Sequence, residues 1–78
     1  MARFYLFEFY TINSHGDWLF YRSTTTSSLF RTLLLKELKS DGYVYNRSRK
    51  AYFQTCPAFA NNKPARFAFI VTPLTPLK

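Results

Sequence analysis

Residues 3–12, RFYLFEFYTI, put large apolar side chains on both faces of any strand they form. Aromatic and β-branched types dominate the run, and these favour strands. Side chains alternate along a strand, so Tyr5, Phe7 and Phe9 point one way while Phe4, Leu6 and Tyr10 point the other. Such a strand needs cover on two sides. The chain offers a single helical segment, of about 13 residues, and one helix covers one face of a sheet. The second face must therefore be closed by a loop or left open as a contact surface. The segment 56–65, with Phe59, Pro57 and Pro64, is the loop available to close it.

The remaining elements follow from turn and cap signals. Asn13–Asp17 (NSHGD) is a turn cluster, with Gly16 free to take a positive φ, and Trp18–Arg22 is a second strand-like run. The two runs read as a β-hairpin. The polar stretch Ser23–Ser28 reads as a short loop ending in a helix N-cap, since Ser and Thr oxygens satisfy the first free backbone N–H groups. The helix then covers about residues 27–39. Its apolar face is expected to be Leu29, Phe30, Leu33, Leu34 and Leu38, with two anomalies: Leu35 falls outside that stripe and Glu37 near its middle. Gly42 supplies a natural residue beyond the C-cap.

Tyr43–Asn46 and Ala51–Thr55 read as strands of a second hairpin around Arg47–Lys50, Cys56–Ala65 as a loop, and residues 66–72 as a last strand ended by Pro73 and Pro76. Trp18 is expected in the core. The fold class is thus α+β: a small antiparallel β-sheet of four to five strands, in the order β-β-α-β-β-β, with one α-helix packed on one face. One domain spans 1–78, with a frayed tail over 72–78.

Composition constrains the chemistry. Sixteen aromatic rings, 21% of the chain, are enough for a small core without a disulfide, which the lone Cys56 rules out. A chain without disulfides suits a reducing cytoplasm. One Cys and one His cannot make a structural zinc site, and no cofactor or metal is expected. Only Gly16 and Gly42 are glycines, so there is no phosphate-binding glycine loop. His15 beside Asp17 lacks a placed nucleophile, and Cys56 lacks a catalytic partner; an enzyme is not expected. The longest apolar run, Phe67–Val71, is far below the ~20 residues of a membrane span.

Charge is the other informative feature. The four carboxylates, Glu8, Asp17, Glu37 and Asp41, all lie in the first half, leaving a net charge of about +1 over residues 1–41 and +6 over 42–78. An uncompensated positive field favours a negatively charged partner. In the second hairpin Arg47, Arg49 and Lys50 interleave with Tyr43, Tyr45, Tyr52 and Phe53. Cations neutralise phosphates and ring faces stack on unpaired bases, which is how nucleic acid is bound. Arg47, Arg49, Lys50, Lys63 and Arg66 are the candidate phosphate contacts, with Tyr45 and Tyr52 for stacking. Residues 66–71 match part of the RNA-recognition RNP1 pattern but lack its glycine and its final aromatic, and the chain lacks that domain's second helix.

The expected function is a non-enzymatic regulatory module docking on nucleic acid. An alternative is an inhibitor or adaptor that binds an acidic protein surface on nucleic-acid-handling machinery. The short, aromatic-rich, motif-free profile looks like that of small proteins encoded by phages and other mobile elements, where anti-defence effectors of that kind occur. A homodimer through Phe4, Leu6 and Tyr10 is compatible with either.

Overall fold

A computed structural model of the chain describes residues 4–55, 58–60 and 63–74, with side chains of 58–60, 63 and 64 excluded. The elements run β1 (Phe4–Ile12), β2 (Trp18–Ser27), α1 (Ser28–Ser40), β3 (Tyr43–Asn46), β4 (Ala51–Gln54), β5 (Ala58–Ala60) and β6 (Lys63–Leu74). The expected α+β class holds. Five strands form the main sheet in the order β2-β1-β6-β4-β3, and β5 pairs with the start of β6. Every adjacent pair is antiparallel. Consequently β2 and β3, at opposite edges, run parallel, and α1 crosses between them. Its 13 residues give a length of roughly 20 Å. Four strand spacings are roughly 19 Å. The helix is as long as the sheet is wide.

The strand boundaries differ from the sequence reading in three places. Ser23–Ser27 is not a loop: it continues β2, each residue paired with one of Phe4–Glu8. β-Branched threonines are good strand formers once a neighbouring strand is present. Residues 58–60 leave the expected 56–65 loop to form β5, which pairs in register with Lys63–Ala65. Residues 72–74 are not frayed, because Leu74, Pro73 and Thr72 pair with Phe4, Tyr5 and Leu6. Pro73 is tolerated there because β6 borders β1 alone at that level, and no second strand requires an N–H from it. Cys56, Pro57 and residues 75–78 lie outside the described residues.

The turns behave as their sequences require. At the β1–β2 turn, Asn13 Oδ1 accepts from the backbone N–H groups of His15 and Asp17 at 2.9 Å each, and Gly16 sits at φ +84°. The Ser27 hydroxyl accepts the Phe30 N–H at 3.5 Å, capping α1. At the other end the Asp41 N–H donates to Glu37 and Leu38 carbonyls, and Gly42 turns the chain at φ +97°. The Gly42 carbonyl then accepts the Thr55 N–H at 3.0 Å, fastening the end of the helix to the end of β4.

The core lies on the helix-bearing face. Phe7, Phe9, Tyr43 and Phe69 are buried, with Tyr5, Tyr52, Phe67, Val71, Leu34, Leu35 and Leu38 packed around them. The apolar face expected for α1 is corrected by this arrangement. Leu29, Phe30 and Leu33 are 70%, 61% and 55% exposed, whereas Leu35 is packed against the core. Each residue advances ~100° around a helix, so the true stripe is turned by about a quarter turn from the expected one. Both anomalies disappear: Leu35 enters the packed set and the Glu37 carboxylate stays in water, avoiding the cost of burying an ion.

On the opposite face the sheet makes its own partial cover. By register, Leu6, Tyr10, Ile12, Trp18, Phe20, Phe53 and Ala68 share this side. Tyr10 meets Trp18 and Phe20 edge-on at 5.4 and 5.7 Å, and Trp18 meets Phe53 at 5.5 Å and 89°. These rings lean together over Ala68, which is fully buried. Trp18 therefore belongs to this half-buried second cluster and not to the core as expected. Phe4 and Phe20 remain exposed. A two-against-one bulge at Tyr21, where the register shifts between Phe9 and Tyr10, turns that ring to the core side, against Phe9 and Phe67.

Burial pushes the Tyr43 phenol up to about 12, with Tyr21 and Asp41 nearby adding to the effect. The unfolded chain releases this proton near pH 10, the folded chain only near 12. The unfolded state thus binds fewer protons in that interval, and stability present below pH 10 is lost as pH rises through it. Tyr43→Phe removes this loss. Its melting temperature should fall less steeply between about pH 10 and 12 than that of the wild type. Parallel declines would show that Tyr43 is not the group responsible.

Candidate nucleic-acid interface

The β3–β4 hairpin carries most of the expected contacts, and its geometry follows from local sequence. Asn46 pairs with Ala51, enclosing the four-residue turn Arg47–Lys50. Asn46 Oδ1 accepts the Arg49 N–H at 3.1 Å, which stabilises the first bend. Lys50 closes the turn at φ +55°, the only described non-glycine residue with positive φ. Glycine or asparagine is the usual occupant of such a position, because a Cβ there crowds the backbone. A lysine held in that conformation keeps a charge at some cost in stability.

The turn distributes its cations to both faces of the sheet. On the helix-free side a hollow of about 470 Å³ is lined by Ile12, Val44, Asn46, Arg49, Phe53 and Arg66, among others. Arg66 reaches it because it follows the same alternation as Ala68, two positions along β6, and pairs opposite Ile12. The Arg49 guanidinium lies 5.8 Å from the Phe53 ring centre, a cation–π arrangement that holds the planar group at the rim. Two guanidiniums far apart in sequence thus border one depression floored by apolar side chains.

Lys50 lies on the other side, in a hollow of about 440 Å³ with Arg31, Tyr5, Tyr45, Tyr52, Val71 and Pro73. No carboxylate lines either hollow among the described residues. Arg47 is exposed in the turn, and the side chain of Lys63 is outside the described set.

The two tyrosines proposed for stacking differ. Tyr45 is exposed and close to Tyr52, with ring centres 4.9 Å apart. Tyr52 is half-buried and lies flat on Phe69 at 4.6 Å and 3°. With Phe69 on one side and Tyr45 beside it, the Tyr52 ring is committed to the protein's own packing, which corrects its assignment as a stacking platform. Alternation along β4 would have separated Tyr52 from Phe53, but only the strand pairing reveals which of them faces the core. Arg31 was missed altogether, because its approach to the hairpin depends on how α1 lies across the sheet.

Phe4, Leu6 and Tyr10 share the helix-free face as their spacing implied; Phe4 is exposed, while Leu6 and Tyr10 are half-buried. Among the described residues no helix is long and apolar enough to cross a membrane. No protein-family model, curated protein or solved structure matches the chain.

The Lys50 backbone gives a direct check of the local geometry. Glycine adopts this conformation without steric cost, so Lys50→Gly should stabilise the domain by about 1 kcal/mol. In a domain this small, that raises the melting temperature by roughly 4–8 °C. A fall in thermal denaturation would mean that the lysine side chain itself supports the fold.

Proposed function

We propose that this chain is a non-enzymatic module that docks on nucleic acid through the β3–β4 hairpin and the neighbouring β6 surface. Arg49 and Arg66 contact phosphate from the rim of the helix-free hollow, with Arg47 in the turn and Lys63 at the start of β6 adding to the field. The observation that carries this reading is the shared position of two guanidiniums, one from the β3–β4 turn and one from β6, at one depression that no carboxylate of the described residues lines. Arginine is suited to this work because its planar fork bonds two phosphate oxygens at once. Tyr45 is the exposed ring for base stacking.

A second reading is supported by a different observation. Leu29, Phe30 and Leu33 on α1 are exposed together, and exposed apolar groups on a chain of net charge +7 fit an inhibitor or adaptor that grips an acidic protein. A pull-down from lysate, repeated after nuclease treatment, separates the two. Capture that disappears with the nucleic acid supports direct binding, and capture of an acidic protein that survives supports the effector.

The direct reading has a quantitative signature. Each neutralised phosphate contributes a slope of about −0.7 for single strands and −0.9 for duplex to log affinity against log salt. The four cations named above give a total of about −2.8 to −3.6. Trp18, the chain's one tryptophan, packs edge-on against Phe53, which lines the hollow, and serves as the fluorescent reporter. Arg49→Ala with Arg66→Ala should reduce the slope's magnitude by about 1.4–1.8 while leaving the melting temperature nearly unchanged, since exposed cations contribute little to stability. A wild-type slope near zero removes the proposal.

A further inference from the structure

We propose that the hollow beside Arg31, on the helix-bearing face, is a second phosphate seat, and that the ligand is a single strand of nucleic acid bent around the β3 edge to reach both seats. This rests on the reading that Arg49 and Arg66 contact phosphate. The second seat is built from separate elements: Arg31 from α1, Lys50 from the β3–β4 turn, and phenols from Tyr5, Tyr45 and Tyr52.

The Arg31 guanidinium lies 4.5 Å over the Tyr5 ring centre, so the side chain is held and not freely sampling solvent. Its Nε is buried and has no hydrogen-bond partner among the described residues. A buried donor left unpaired is costly, and native structures seldom leave one without a reason. A phosphate oxygen in the adjoining hollow supplies the missing acceptor, and Lys50 supplies a second positive charge to the same anion.

The placement of the two seats defines the shape of the ligand. Arg49 and Arg66 lie on the helix-free face, Arg31 and Lys50 on the helix-bearing face, and Tyr45 borders both hollows. β3 is the outermost strand of the sheet on that side. A strand occupying both seats must therefore turn around a layer roughly 10 Å thick. Unpaired nucleic acid bends that sharply at ordinary cost. Duplex does not: its persistence length is about 150 base pairs, so a bend of this sharpness works against its stiffness.

The test compares a thymidine oligonucleotide of about twelve nucleotides with a duplex of equal length, by fluorescence anisotropy across a range of salt. The single strand should bind about tenfold more tightly than the duplex at the same salt. Lys50→Gly, which suits the backbone at that position, should lower the single-strand salt slope by about 0.7, and Arg31→Gln should do the same. Equal binding of duplex, or an unchanged slope in Lys50→Gly, overturns the two-seat path while leaving the Arg49–Arg66 reading in place. A wild-type slope near zero overturns both.

Discussion

Phe69 is the residue about which the structure is organised. Its ring meets Phe7 at 5.8 Å, Phe9 at 5.5 Å, Tyr43 at 4.9 Å and Tyr52 at 4.6 Å, and it is fully buried. Those four partners come from β1, β3 and β4, so one side chain on β6 links both hairpins beneath the helix. Removing a buried phenylalanine costs about 3–5 kcal/mol, a large share of what a domain of this size possesses. Much of the aromatic content of the chain thus goes into this interlocked set of rings, and a disulfide is not needed to hold it.

The two faces of the sheet solve their packing differently. On one, α1 brings Leu34, Leu35 and Leu38 down onto the phenylalanines. On the other, Ala68 leaves a low floor over which Tyr10, Trp18 and Phe53 close edge-on. The second arrangement is thinner and leaves Phe4, Phe20 and Val44 in solvent. It also leaves room beside Phe53 for the depression bordered by Arg49 and Arg66. The candidate interface therefore lies where the cover is incomplete.

Both hairpins, the helix and its caps were legible in the sequence because they depend on neighbours a few residues apart: Asn13 and Gly16 for one turn, Ser27 and Gly42 for the helix ends. What was not legible depends on partners far along the chain. Ser23–Ser27 looks like a polar linker until Phe4–Glu8 pairs with it. Glu37 and Leu35 signalled that the helix face was misaligned, and that signal sufficed to correct it: a carboxylate at the centre of an apolar stripe is physically implausible. The basic hairpin was visible as composition, but its division between two faces was not. Arg49 and Lys50 are adjacent in sequence and serve different hollows, while Arg31 and Lys50 are distant in sequence and share one.

The position of β6 between β1 and β4 has a consequence for how the fold is reached. The β1–β2 and β3–β4 hairpins each close over a short turn, on the microsecond scale of local structure. No strand-to-strand hydrogen bond joins them until residues 63–74 insert, and that step unites segments some sixty positions apart along the chain. Such non-local pairing is slow relative to hairpin closure, because the entropy of the long loop is lost before any contact is made. On the ribosome the two hairpins and the helix emerge as separate pieces. Cooperativity arrives with the last strand, and until then the aromatic surfaces it will bury are open to other chains.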